Sequence, residues 1–237
     1  MIDEIMTEYS NKYLLSLFKD VKQKRDIGLM GGWAVHYLLK EAGIEHIGSR
    51  DIDIFFNPNK IPFEKIRQLI ESKGFKPHST FRWVKFIHRL SGREMNTDEA
   101  SKIPQYDQCV VYVDVAAPQH IDSRVMEQPL LNRVFDGEFK QIMVSNTKIM
   151  VPNERLMIEM KLNSSGERGD PFKKSKDIAD LFMLVYNEPV LLETTDKKLR
   201  KKFRSQLEHF RTSGSLADAA SMLGVPVSRI LRTLEDI

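Results

Sequence analysis

A short apolar strand carrying two aspartates constrains this chain more than any other feature. It reads Asp51-Ile52-Asp53-Ile54-Phe55-Phe56 and lies about twenty residues after a Gly31-Gly32 turn. Successive side chains of a strand point to opposite faces, so Asp51 and Asp53 share one face while Ile52 and Ile54 fill the other. Two carboxylates held side by side repel and raise each other's pKa, so a cation is expected between them. Gly31-Gly32 follows the apolar stretch Ile27 to Met30 and opens a helical pattern, Trp33 to Glu41. Glycines there let backbone approach a ligand closely, and the N–H groups and dipole of the helix that follows favour an anion. The bland alternative is a tight turn followed by an edge strand with solvated aspartates. The spacing of turn and pair favours a site for a cation with a phosphate, and Mg²⁺ carrying a nucleoside triphosphate suits it.

At 237 residues the chain can form one sizeable domain or two small ones. A hydrophobic share of 41% and a charged share of 29% are those of an ordinary water-soluble globule. The net charge of +3 gives little pull toward nucleic acid by itself. Cys109 is the one cysteine, so no internal disulfide can form, and its apolar setting predicts a buried thiol in a reducing compartment. No apolar run approaches the roughly 20 residues of a membrane span. Asp3, Glu4 and Glu8 do not suit a secretory leader, so a cytoplasmic protein without membrane contact is expected.

The spacing of Ile5, Tyr9, Tyr13, Leu14, Leu17, Phe18 and Val21 predicts a leading helix over 3–24. Gly43 closes the helix after the glycine turn, and a further helix runs from Pro62 to Lys73 until Gly74 stops it. Phe81 to Leu90 is strand-like, 91–107 loop-like, and Gln108 to Ala116 a β-branched strand ended by Pro118. Short strands are expected around 130–135, 139–144 and 147–151, turned by Asp136-Gly137 and Ser145-Asn146. Asn153 caps a helix to about residue 163, a glycine-containing loop follows, and Lys174 to Asn187 is helical. Beyond Pro189 every pattern is helical. The expected layout is therefore a mixed α/β (α+β) domain over 1–188, with a mixed sheet flanked by helices, and a helical module over 189–237.

Three further groups of residues carry chemistry. Asp114 stands in the apolar run Val110 to Val115, where a charge is costly unless it is paired or metal-bound. Its alternative is a strand-end aspartate making a turn hydrogen bond; beside Asp51 and Asp53 it becomes a third metal-binding carboxylate and a base for an attacking hydroxyl. Lys161 and Arg168 could meet phosphate oxygens, and Asp177 and Asp180, next to Lys176 in the chain, share a helix face; a solvated charged helix is the competing view. The tail from Lys197 to Arg204 is strongly basic, and 216–230 has helix-turn-helix character, with Gly224 at the turn. Lys201, Arg204, Arg229 and Arg232 are its candidate nucleic-acid contacts, against a helical hairpin with a solvated basic face.

Gly31-Gly32, then Asp51/Asp53, then Asp114 in that order resembles the polymerase-β-like nucleotidyltransferase superfamily. The downstream pattern Val151-Pro152-Asn153-Glu154-Arg155-Leu156, Lys161, Arg168, then Lys176-Asp177-Ile178-Ala179-Asp180 is similar to AbiEii-type nucleotidyltransferases of toxin–antitoxin systems over residues 25–185. Gly31-Gly32-Trp33-Ala34-Val35 resembles aminoglycoside and lincosamide nucleotidyltransferases, which tend to carry an aspartate where this chain has His36. The resemblance implies transfer of a nucleoside monophosphate from an NTP to a hydroxyl of RNA, protein or a small molecule. Asp51, Asp53 and Asp114 would be catalytic and hold Mg²⁺. Gly31, Gly32, Trp33, Arg50, Lys161, Arg168, Lys176, Asp177 and Asp180 would bind the nucleotide, and a cognate antitoxin would be a partner. The alternative is a regulator that binds a nucleotide or DNA without turnover, using the helix-turn-helix.

Overall fold

The computed structural model describes residues 3–22, 24–167, 169–187, 197–212 and 214–235. By backbone proximity it divides at Pro152/Asn153 into a sheet unit and a helical unit. The boundary expected near residue 188 falls outside the described residues.

In the sheet unit, helix α1 (Glu4–Lys19) leads into β1 (Ile27–Met30), α2 (Gly31–Glu41), β2 (Asp51–Phe56) and α3 (Phe63–Ser72). Strands β3 (Lys76–Ser79), β4 (Arg82–His88) and β5 (Glu94–Met95), a short helix α4 (Thr97–Ala100) and the long β6 (Gln108–Ala117) follow. The unit ends with β7 (Met126–Glu127), α5 (Leu131–Phe135), β8 (Phe139–Val144) and β9 (Thr147–Pro152). The strands form one mixed sheet in the order β3-β4-β6-β2-β1-β9-β8, with β5 beside β4 and β7 beside β6. The β2–β6, β1–β9 and β6–β7 pairs are parallel and the others antiparallel.

Alternation in β2 and β6 sorts the two faces as the sequence predicts. Ile52, Ile54, Val111 and Val113 are buried on one face, and there α1 packs, its Tyr13 ring under the Lys85 ammonium at 4.2 Å. The opposite face carries Asp51 and Asp53 and then Phe55, which meets Phe135 edge-on at a ring separation of 5.7 Å. Trp33, Trp83, Phe55 and Phe56 are nearly inaccessible, and each large apolar side chain so buried contributes about 1.5–3 kcal/mol. Cys109 is buried as expected, and burial pushes its thiol pKa up. No helix among the described residues is long and apolar enough to cross a membrane.

Two expectations fail. The strand expected at 130–135 is helix α5: Leu131, Asn132 and Arg133 donate their N–H groups three residues back, starting from Gln128. Asp136-Gly137 closes this helix instead of turning a hairpin, and the Arg133 guanidinium forks onto Glu138 just beyond it. The loop expected over 91–107 contains β5 and α4, the latter begun by a capping box between Asn96 and Glu99. By contrast, Ser145 and Asn146, with φ of 46° and 63°, make the expected two-residue hairpin.

The helical unit contains α6 (Glu154–Glu167), α7 (Pro171–Asn187), α8 (Lys197–Thr212), α9 (Ser215–Leu223) and α10 (Val227–Glu235). Asn153 starts α6 by accepting from the Leu156 N–H at 2.9 Å. The helix runs past the expected stop near 163, through Gly166. A Cβ at Gly166 would stand 2.4 Å from Nε2 at the flexible end of Gln206 on α8. Gly224 adopts φ 64°, ψ 28°, and the Val225 N–H returns to the Ala220 carbonyl, turning α9 into α10.

Candidate active site

Strand register assembles the site. β2 lies between β1 and β6, which places Asp53 opposite Met30 on one side and Asp114 on the other. Asp51, one repeat earlier on the same face, stands opposite Tyr112. β4, antiparallel to β6, places Arg82 opposite Asp114. Three strands in the middle of the sheet therefore present Asp51, Asp53, Asp114 and Arg82 on one face.

An arginine side chain stands beside these carboxylates. Arg82 Nε donates to Asp114 Oδ1 at 2.7 Å and Nη2 to Asp114 Oδ2 at 2.5 Å. The same Nη2 lies 3.5 Å from Asp51 Oδ2. Its guanidinium carbon sits 4.5 Å from the centre of the Tyr112 ring, a cation–π contact that fixes the plane of the fork. The hydrogen bonds to Asp114, and behind them the charges of Asp114, Asp51 and Asp53, raise the arginine's pKa against the opposing pull of burial. Asp114 is 6% exposed, so the pair is shielded from water on its carboxylate side. Arg50, half-exposed, brings Nε to 3.6 Å from Asp51 Oδ1.

Gly31 has φ +68°, and a Cβ there would stand 2.0 Å from Asp53 Oδ2. The missing side chain thus makes room for Asp53 at the first turn of α2, where the helix dipole favours a negative charge. Trp33, expected near a nucleotide, is 1% exposed; its indole N–H donates to Ser10 Oγ at 2.9 Å and its ring stacks on Tyr37. Its side chain belongs to the core.

Lys161, Asp177 and Asp180 do come together, inside the helical unit. The Lys161 ammonium lies 2.8 Å from Asp177 Oδ1 and 2.5 Å from Asp180 Oδ2, and all three residues are buried. Burial presses the lysine's pKa down, but the two carboxylates outweigh it and raise it. Ser164 Oγ–H donates to Asp177 Oδ2 at 2.9 Å. Lys176 is half-buried on α7, and Arg168 lies outside the described residues. In the tail, Lys201, Arg204 and Arg232 are exposed, while Arg229 donates to the Tyr186 hydroxyl at 2.6 Å and stacks on its ring.

The chemistry read from the sequence calls for a divalent cation on Asp51, Asp53 and Asp114. Their common strand face suits that role, but the commitment of both Asp114 oxygens to Arg82 does not. Among the described residues no group of three or more His, Cys, Asp or Glu side chains is gathered so as to hold a metal ion. As they stand, the side chains do not fit a cation shared by all three carboxylates. Arg82 is the site residue that sequence reasoning missed; the available signal was an arginine opening an apolar strand, Arg82-Trp83-Val84, ahead of the Asp114 strand.

No protein-family model matches the chain, and no curated protein matches it. Among solved structures it is similar to an antigenic nucleotidyltransferase-like protein from Paracoccidioides brasiliensis, with a TM-score of 0.50 and 15% identity over 92% of this chain and 93% of that one. A second similar structure is the antibiotic-resistance factor ANT(2'')-Ia, with a TM-score of 0.44 and 13% identity over 86% of this chain and 99% of that one. The first likeness spans both units, and with the mixed sheet and its helices it shows that this chain has a nucleotidyltransferase-like fold.

Proposed function

We propose that the chain is a nucleotidyltransferase that moves a nucleoside monophosphate from an NTP to an acceptor hydroxyl and releases pyrophosphate. The observation that carries this reading is the placement of Asp51, Asp53 and Asp114 on one face of adjacent strands, with Gly31 and the start of α2 against Asp53. Asp51 and Asp53 are the ligands the chain offers to Mg²⁺, which when bound would neutralise phosphate charge. Asp114 is the base for the acceptor hydroxyl, and the Arg82 fork fixes its position. The first N–H groups of α2 and the Arg50 guanidinium would receive phosphate oxygens. Lys161, Asp177 and Asp180 act by fixing α6 against α7. The basic tail makes RNA or a protein the acceptors to try first, and the sequence resemblance makes a cognate antitoxin the partner to look for.

The test is incubation with each α-labelled NTP and an extract of RNA and protein. Label should enter one fraction, and Asp53→Asn should lower its transfer by on the order of 10² or more while leaving the melting temperature in place. Transfer undiminished in Asp53→Asn would sink the assignment. The exposed Lys201, Arg204 and Arg232 support a second reading, a nucleic-acid-binding regulator. It prevails if no NTP is turned over and duplex binding is lost when these three are neutralised.

A further inference from the structure

Arg82 is committed at its edge, which leaves its plane. Nε and Nη2 are taken up by Asp114 and Nη2 also stands near Asp51, so the flat guanidinium is held at its rim. Its side chain is still 21% exposed. Tyr112 lies two residues before Asp114 on β6, hence on the same face, and its ring centre is 4.5 Å from the guanidinium carbon. The edge strand β3 pairs with β4, and its register slips between Pro77 and Ser79. His78 sits in that slip, exposed, with its ring centre 6.0 Å from that of Tyr112 at an interplanar angle of 39°. Flat groups from β3, β4 and β6 thus gather beside the carboxylates. Tyr112 is only half-buried, and among the described residues neither it nor His78 has a side-chain hydrogen-bond partner. Core packing and hydrogen bonding therefore leave the two rings unaccounted for.

We propose that Arg82, Tyr112 and His78 form a stacking subsite for a nucleobase. This rests on the nucleotidyltransferase reading and gives it a place for a ring; no metal ion takes part in the contact. The class of ligand follows from charge and shape. The guanidinium repels a cation laid over its plane, while Asp51, Asp53 and Asp114 repel an anion. A neutral, unsaturated heterocycle avoids both penalties, and bases stack on arginine planes as well as on aromatic rings. Little ordering is needed on binding, because the carboxylates already hold the guanidinium. The sheet order β3-β4-β6-β2-β1 puts the subsite across the carboxylates from Gly31 and the start of α2. A base at this place is carried either by the NTP or by the acceptor, and the stacking chemistry is the same for both.

Binding of each free ribonucleoside to the full chain in EDTA, followed by saturation-transfer NMR, tests this without turnover or metal. At least one nucleoside should bind through its base protons, and ribose alone should not bind. His78→Ala, on an exposed strand, should keep the parent's melting temperature and weaken binding about tenfold. His78→Phe, which keeps a flat ring without the imidazole, should restore it. Tyr112→Leu should weaken binding as His78→Ala does, and Tyr112→Phe should not; if Tyr112→Leu fails to fold, the His78 variants decide. With Mg²⁺ present, displacement of the nucleoside by a non-hydrolysable NTP assigns the base to the NTP. Joint binding of the two assigns it to the acceptor, and both results support the subsite. Equal affinity in parent and His78→Ala, no rescue by His78→Phe, or no binding of any nucleoside overturns the subsite and leaves nucleotidyl transfer standing. Nucleoside binding as expected with no NTP turnover overturns the proposed reaction and leaves the subsite in place.

Discussion

At Gly31 two demands meet in one residue. A positive φ is costly for an L side chain, and the space a Cβ needs is filled by the Asp53 carboxylate. Gly31→Ala should therefore cost about 1–3 kcal/mol in urea unfolding and should also displace Asp53, so that NMP transfer falls further than stability does. Transfer unchanged in a folded Gly31→Ala protein would show that Asp53 has no fixed position. Asp51 and Asp53 were legible as a pair because strand alternation depends on local sequence alone, and Asp114 stood out as a charge within an apolar run. Arg82 was not, because its meeting with Asp114 depends on how β4 pairs with β6, which no local pattern states. Standing next to a glycine turn likewise says nothing about which way the Trp33 indole points, and here Ser10 receives its N–H.

Among the elements, α1 shows how a helix end can carry a pH dependence. Asp3 caps it by accepting from the Ile5 and Met6 N–H groups and pairs with Arg89. The Arg89 hydrogen bond is the largest cause that lowers its pKa below the ordinary aspartate value of 3.8. A lowered folded-state pKa contributes stability above the unfolded value and loses it as pH falls through the folded one. Asp3→Asn keeps the cap but loses the ion pair. It should melt below the parent at neutral pH, and the gap should close as the pH drops beneath 3.8. A gap that persists in acid would assign the difference to packing. The long elements were readable from periodicity, while α5 and α4 were not. Five- and four-residue helices have no room for a 3.6-residue repeat, and their hydrogen bonds come from turns and caps. The exposed edge strand β3, Lys76-Pro77-His78-Ser79, has no apolar face to betray it.

Across the whole molecule each compact unit has its own apolar core, and the helical unit also sets a buried lysine between two buried aspartates. Removing the lysine alone leaves two carboxylates away from water, so Lys161→Met should cost about 3–5 kcal/mol. Lys161→Met combined with Asp177→Asn and Asp180→Asn should recover much of that, as read by urea unfolding. The sequence showed these three residues as a motif but not as a closed triad, because burial depends on how α6 and α7 face each other. The parallel pairing of β2 with β6 has a kinetic consequence. Parallel neighbours cannot be joined by a tight turn, so the chain passes through α3, β3 and β4 before Asp114 can reach Asp53. Closing so long a loop is expected to come late in folding, which would put the site among the last features to form. A ligand of that site therefore does little to hasten folding and acts by slowing the return to the unfolded chain.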